Sequence, residues 1–304
     1  MKTAVFFYED PRYNGVKETA KGRIQMKKEF WNMIVILVLA GILYGGCGIP
    51  KEATKDELVV SILGDSISTF EGYIPEADGV NLKHTTRYPQ EDLVMEVEET
   101  WWMQVITELD GKAEGGARLG VNDSWSASMV YNDLDENAGS FGPDACMASV
   151  TRIRNLGSNG EPDFILYYGG TNDVLHLVPL GSFDPDGDSR TVAADNVDWN
   201  AATWVTFAEA YEAAILRLRS CYPDAELLVM LPTYADGQYY TEDELAKYNA
   251  VMAEICKHYG VSYIDLRDSG VTVEHLPDGI HPGYEGMDLI EQSVLLKLAE
   301  LGIL

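Results

Sequence analysis

The sequence predicts an α/β domain built as three layers, with about five parallel strands covered on both faces by helices. Two observations predict it. Five short apolar runs alternate with segments of helical periodicity. Those runs are almost continuously apolar rather than alternating, which marks strands buried on both sides.

In chain order, the strands read at 58–63, 118–122, 163–168, 226–231 and 262–265. The helical patterns read at 100–109, 145–155, 204–221, 242–259 and 284–301. Thr241-Glu-Asp-Glu244 is a capping box and fixes the start of one helix. Two long segments, 71–99 and 176–202, are polar and rich in Pro, Gly and Asp; segments of this length in a compact domain are often binding loops. Trp101 and Trp102, at a helix start, read as core rather than as a sugar platform.

The first part of the chain has a different character. Met26-Lys27-Lys28 precedes a twelve-residue apolar stretch, 33–44, and then Gly45-Gly46-Cys47. A basic start, a short apolar run and small residues before a cut describe a secretory signal over 26–46. The run is short for a membrane span, which needs about 20 residues. Cys47 after two glycines resembles the lipobox of bacterial lipoproteins, with Tyr44 where that family usually has Leu. That resemblance implies lipidation of Cys47, a tether over 47–57, and an exported protein held at the bacterial cell envelope by its N-terminal lipid. Residues 1–25 then read as an upstream extension, and 58–304 as the folded domain.

A formal net charge of −27 argues against nucleic acid and anionic lipid headgroups as ligands. Four cysteines are too few for a disulfide scaffold, and no Cys-x-x-Cys or His-rich cluster points to a metal. Asp184-Pro-Asp186-Gly-Asp188 lacks the glycine and terminal Glu of a calcium loop and reads as an acidic turn.

In open parallel sheets the ligand site lies at the carboxyl ends of the strands. Small and polar residues gather there three times: Gly64-Asp65-Ser66, Asn122-Asp-Ser-Trp125-Ser-Ala127, and Gly169-Gly-Thr-Asn172-Asp173. A serine hydroxyl needs a base, usually a neutral His oriented by a carboxylate. Among five histidines, His281 alone lies in Asp278-Gly-Ile-His281-Pro, where Gly279 permits a tight turn. The order is therefore Ser66, Asp278, His281, and the Gly-x-Ser-x-Gly elbow of the α/β-hydrolases is absent. Acyl transfer also needs donors for a developing oxyanion. The backbone N–H of Ser66, a backbone N–H of the second turn and the amide of Asn172 are candidates. Asp65, Trp125 and His176 are candidates for lining the pocket.

Taken together, GDSIS at 64–68, NDSWSAS at 122–128, GGTND at 169–173 and DGIHP at 278–282 resemble the four blocks of the SGNH (GDSL-type) esterases and lipases. The resemblance runs from residue 58 to about 290. It implies a flavodoxin-like sandwich, a Ser66–His281–Asp278 triad, no metal or other cofactor, and an oxyanion hole from Ser66, Ala127 and Asn172. Ala127 stands where that family usually has Gly, so a positive φ there would strain the turn. The expected activity is hydrolysis of short-chain acyl esters by a serine nucleophile. The polar, acidic loops favour O-acetyl groups on carbohydrates, or another small ester, over long lipid chains. A lipase or lysophospholipase, or a non-catalytic glycan-binding lipoprotein on the same scaffold, are the alternatives.

Overall fold

A computed structural model describes residues 57–75, 86–131, 146–186 and 204–304. The expected extension, signal, tether residues before 57 and Cys47 lie outside the described residues, as do residues 76–85 of the first long polar segment and 187–202 of the second. Five strands form one parallel sheet: β1 (Leu58–Gly64), β2 (Ala117–Ser124), β3 (Phe164–Tyr168), β4 (Glu226–Leu231) and β5 (Ser262–Asp265). Their order is β2-β1-β3-β4-β5. The chain builds outward from β1 in one direction and then the other, which places the topological switch point between β1 and β3.

Helices cover both faces: α1 (Trp101–Lys112), α2 (Val150–Asn155), α3 (Thr171–Leu175), α4 (Phe207–Cys221), α5 (Glu242–Tyr259) and α6 (Tyr284–Glu300). Side chains alternate along each strand, so neighbouring residues feed opposite layers. Leu63, Ile165, Tyr167 and Val229 pack with Ile153 of α2, Phe207 and Tyr211 of α4, and Met252 of α5. Ile62, Leu166, Tyr168 and Met230 pack with Trp101, Trp102 and Val105 of α1 and with Ile290 and Val294 of α6. Burying each such aliphatic side chain contributes about 1.5–3 kcal/mol, which is why strands read as unbroken apolar runs. Both tryptophans are fully buried, as expected of core residues.

Capping sets the helix starts. Thr206 and Glu209 exchange side-chain and backbone hydrogen bonds at α4, and Thr241 and Glu244 do the same at α5. Gly260, with φ of 62°, ends α5. The register then aligns the strand ends: Gly64 of β1 pairs with Ser124 of β2 and with Tyr168 of β3. The turns after these three strands therefore leave the sheet at one level.

Candidate active site

The first turn begins where β1 runs out of room for side chains. A Cβ on Gly64 would lie 2.8 Å from Ser124 Oγ and from Ser68 Cβ. Asp65 follows; its Oδ1 accepts the Ile67 N–H at 3.0 Å and caps a short 3-10 turn over Ser66–Ser68. Thr69 Oγ1 donates to the Ser66 carbonyl at 2.9 Å and closes the turn. Ser66 thereby lines a cavity of about 410 Å³.

The second turn is tied to the first. The Trp125 N–H donates to the Gly64 carbonyl at 3.1 Å, and so does Arg152 Nη2 at 2.9 Å. Arg152 also reaches Asp123 through Nε at 2.8 Å, so one buried guanidinium joins the ends of β1 and β2. The turn needs a left-handed residue at position 127, and Ala127 supplies it with φ of 62°. This is the strain foreseen for an alanine there.

At the third turn, Gly170 adopts φ of 110° and starts α3. Asn172 is 6% exposed, and its Nδ2 donates to the Ser128 carbonyl at 3.0 Å. One N–H of that amide is spent on holding the second turn; the other is not. Asp173, beside it, accepts the N–H groups of Val130 and Tyr131 at 2.9 and 2.8 Å.

The fourth segment brings Asp278 and His281 to Ser66. Gly279 has φ of 88°, and a Cβ there would meet Tyr239 and Asp236 at about 3 Å. The tight turn lets Asp278 Oδ1 accept the N–H groups of Ile280 and His281, at 3.1 and 2.8 Å. Asp278 Oδ2 lies 2.8 Å from His281 Nδ1, and His281 Nε2 lies 2.9 Å from Ser66 Oγ. With Nδ1 protonated toward the carboxylate, Nε2 is the acceptor for the serine O–H.

The electrostatics match these roles. Burial pushes the Asp278 carboxyl up, but the backbone N–H of His281 and the imidazole outweigh it and hold it below its ordinary range. Burial lowers the His281 pKa, more than the Asp278 charge raises it, so the imidazole is neutral at neutral pH. A neutral base, an ionised orienter and a hydroxyl at hydrogen-bond distance can carry out acyl transfer.

Ser66, Asp278, His281, Ala127 and Asn172 all line the same cavity, with Thr86, Ser126, Leu175 and Tyr239. The three pocket candidates do not. Asp65 is fully buried beneath the first turn, because its carboxylate is needed there as a cap. Trp125 turns away to lie 4.9 Å under the Arg152 guanidinium. His176 is an exposed residue at the end of α3. Arg87 lines the cavity and pairs with Asp278, and sequence reasoning missed it. Its partner is 191 residues away, and no local pattern marks it.

Comparison with known proteins agrees with this architecture. The family model for GDSL-like lipase/acylhydrolase matches residues 58–298. A crystal structure described as a candidate GDSL-like lipase from Bacteroides uniformis is 30% identical, with TM-score 0.54, covering 81% of this chain and 97% of that one. A second such structure, from Bacteroides ovatus, is 27% identical with TM-score 0.57, covering 81% and 100%. A carbohydrate acetylesterase from Sinorhizobium meliloti shares the fold at 18% identity and TM-score 0.51, covering 81% and 100%. Among curated proteins no match is found.

Proposed function

The chain belongs to the GDSL-like lipase/acylhydrolase family, an ester hydrolase family, and from that premise we propose that it is a serine esterase acting through Ser66, His281 and Asp278. The observation that carries the proposal is the unbroken relay from Ser66 Oγ to His281 to Asp278, with both contacts under 3 Å. Ser66 Oγ attacks the ester carbonyl carbon while His281 Nε2 takes its proton. Asp278 holds the tautomer and stabilises the imidazolium. The carbonyl oxygen becomes an oxyanion bound by the N–H groups of Ser66 and Ala127 and by the second N–H of Asn172. The intermediate collapses, and His281 returns the proton to the departing alcohol. Water then attacks acyl-Ser66 by the same steps in reverse.

For the substrate, the reading is a short acyl ester, in particular an O-acetyl group on a carbohydrate. The cavity supports it. Among the described residues its lining is mixed: Ala127, Leu175, Ile280 and the ring of Tyr239 are apolar, and the other lining residues are polar. A long acyl chain needs a continuous apolar path. The fold also accommodates carbohydrate acetylesterase chemistry, as in the Sinorhizobium protein. The test is a series of p-nitrophenyl acetate, butyrate and octanoate esters, followed by acetylated polysaccharide. Falling kcat/KM with chain length is expected; a preference for octanoate would replace this reading with a lipase.

We further propose export and anchoring through Cys47, on the sequence alone. Among the described residues no helix is long and apolar enough to cross a membrane. Radiolabelled palmitate should enter the full chain and not its Cys47→Ala variant; equal labelling of both would refute the anchor.

A further inference from the structure

Resting on the triad reading above, we propose that Arg87 is a positioning residue for the reaction: it clasps the Ser66 turn to the Asp278–His281 turn and sets how much of the Asp278 charge reaches the imidazole. Three observations carry this. First, the Arg87 guanidinium bonds Asp278 Oδ2, the same oxygen that faces His281 Nδ1. The other oxygen, Oδ1, already accepts two backbone N–H groups. The carboxylate is thus shared four ways, and Arg87 is the one cationic competitor for its charge among the described partners.

Second, the Arg87 backbone is bound to the nucleophile's turn. Its N–H donates to Thr69 Oγ1 at 2.8 Å, and that hydroxyl donates to the Ser66 carbonyl at 2.9 Å. The contacts close a ring: Ser66, Thr69, Arg87, Asp278, His281 and back to Ser66. Third, the next residue repeats the clasp. Tyr88 is fully buried and its hydroxyl donates to the Pro282 carbonyl at 2.9 Å, one residue past the base. The segment between the first turn and α1 therefore joins the first and last motifs of the chain.

The sign of the effect follows from Coulomb's law. A guanidinium on Oδ2 neutralises part of the carboxylate, and its own charge disfavours an imidazolium nearby. Removing it acts in one direction through both routes and makes His281 easier to protonate. Arg87 accordingly joins burial in lowering the His281 pKa. The other titratable groups near the pair do not mimic this. The Tyr88 phenol is pushed well above its ordinary range by burial and stays neutral. Tyr239 donates its hydroxyl to the Asp278 carbonyl. Asp65 is raised by burial to about 6, but it is the same in wild type and variants and so produces no difference between them.

The experiment is an NMR titration of the His281 ring in the full chain, for wild type, Arg87→Met and Arg87→Lys. Near-UV circular dichroism checks that each is folded. The Met variant should titrate at higher pH than wild type, and the Lys variant, which keeps the charge, close to wild type. Coincident wild-type and Met titrations would overturn the proposal, as would a Lys variant that follows Met. This readout does not depend on turnover. A failure of the triad reading would appear separately, as hydrolysis that survives Ser66→Ala.

Discussion

The Nε2 of His281 lies 2.9 Å from the Oγ of Ser66, across 215 residues of chain. The contact ties activity to the protonation state of His281. Only neutral His281 can accept the serine proton, and burial lowers its pKa from the ordinary 6.5. The neutral form therefore persists further into acid. The acid limb of kcat/KM should have its midpoint below pH 6.5. A pH–rate profile with its midpoint above that value would contradict the assignment of His281 as base.

Asn172 should act on kcat more than on KM. In the proposed oxyanion hole its second N–H binds a charge that develops only in the transition state. Asn172→Ala should lose roughly 10²–10³-fold in kcat, about 3 kcal/mol. Steady-state kinetics on a p-nitrophenyl ester check this. A kcat equal to wild type would remove Asn172 from the oxyanion hole.

Ala127 sits at φ of 62°, where its Cβ is strained. Replacing it with Gly relieves about 1–2 kcal/mol of strain and adds about 0.4–1 kcal/mol of unfolded-chain entropy cost. Ala127→Gly should raise stability by about 0.5–1 kcal/mol, or Tm by roughly 2 °C, while keeping the backbone N–H and activity. Thermal unfolding measures it; a lower Tm would show that the turn is not strained by the alanine.

Asp65 couples stability to pH. Burial raises its carboxyl from 3.8 to about 6, against the hydrogen bond from Ile67. A raised acid pKa stabilises the fold most below the unfolded value of 3.8, and that stabilisation is lost as pH rises through about 6. Asp65→Asn retains a capping side chain without the charge. Its stability relative to wild type should therefore improve from pH 4 to pH 8, by on the order of 2 kcal/mol. Denaturant unfolding at both pH values tests this, and a pH-independent difference would contradict it.

Much of this was legible in the sequence where the signal is local. β4, β5 and α5 fall on the expected residues, because apolar runs and the Thr241–Glu244 box act over a few positions. The expected helix at 145–155 begins instead at Val150, where the Ser149 hydroxyl caps it by accepting the Arg152 N–H. The five-residue α3 is too short for periodicity and was read only as a motif. Ser66 and Asn172 were legible in turns after strands, and Asp278 and His281 in the turn before the last helix; the four share one cavity. Side-chain direction was not legible. Asp65 and Trp125 neighbour site residues in sequence, yet one caps a turn and the other packs on Arg152. Arg87 was invisible because its meaning lies in a partner at the far end of the chain.

Covalent labelling tests whether Ser66 is the nucleophile. The full chain would be treated with a fluorophosphonate, digested and read by mass spectrometry, with p-nitrophenyl acetate hydrolysis followed in parallel. A single phosphonyl adduct on Ser66 is expected, with loss of hydrolysis in step with labelling, and neither adduct nor hydrolysis in Ser66→Ala. Hydrolysis that continues in Ser66→Ala, or in fully labelled protein, would contradict it.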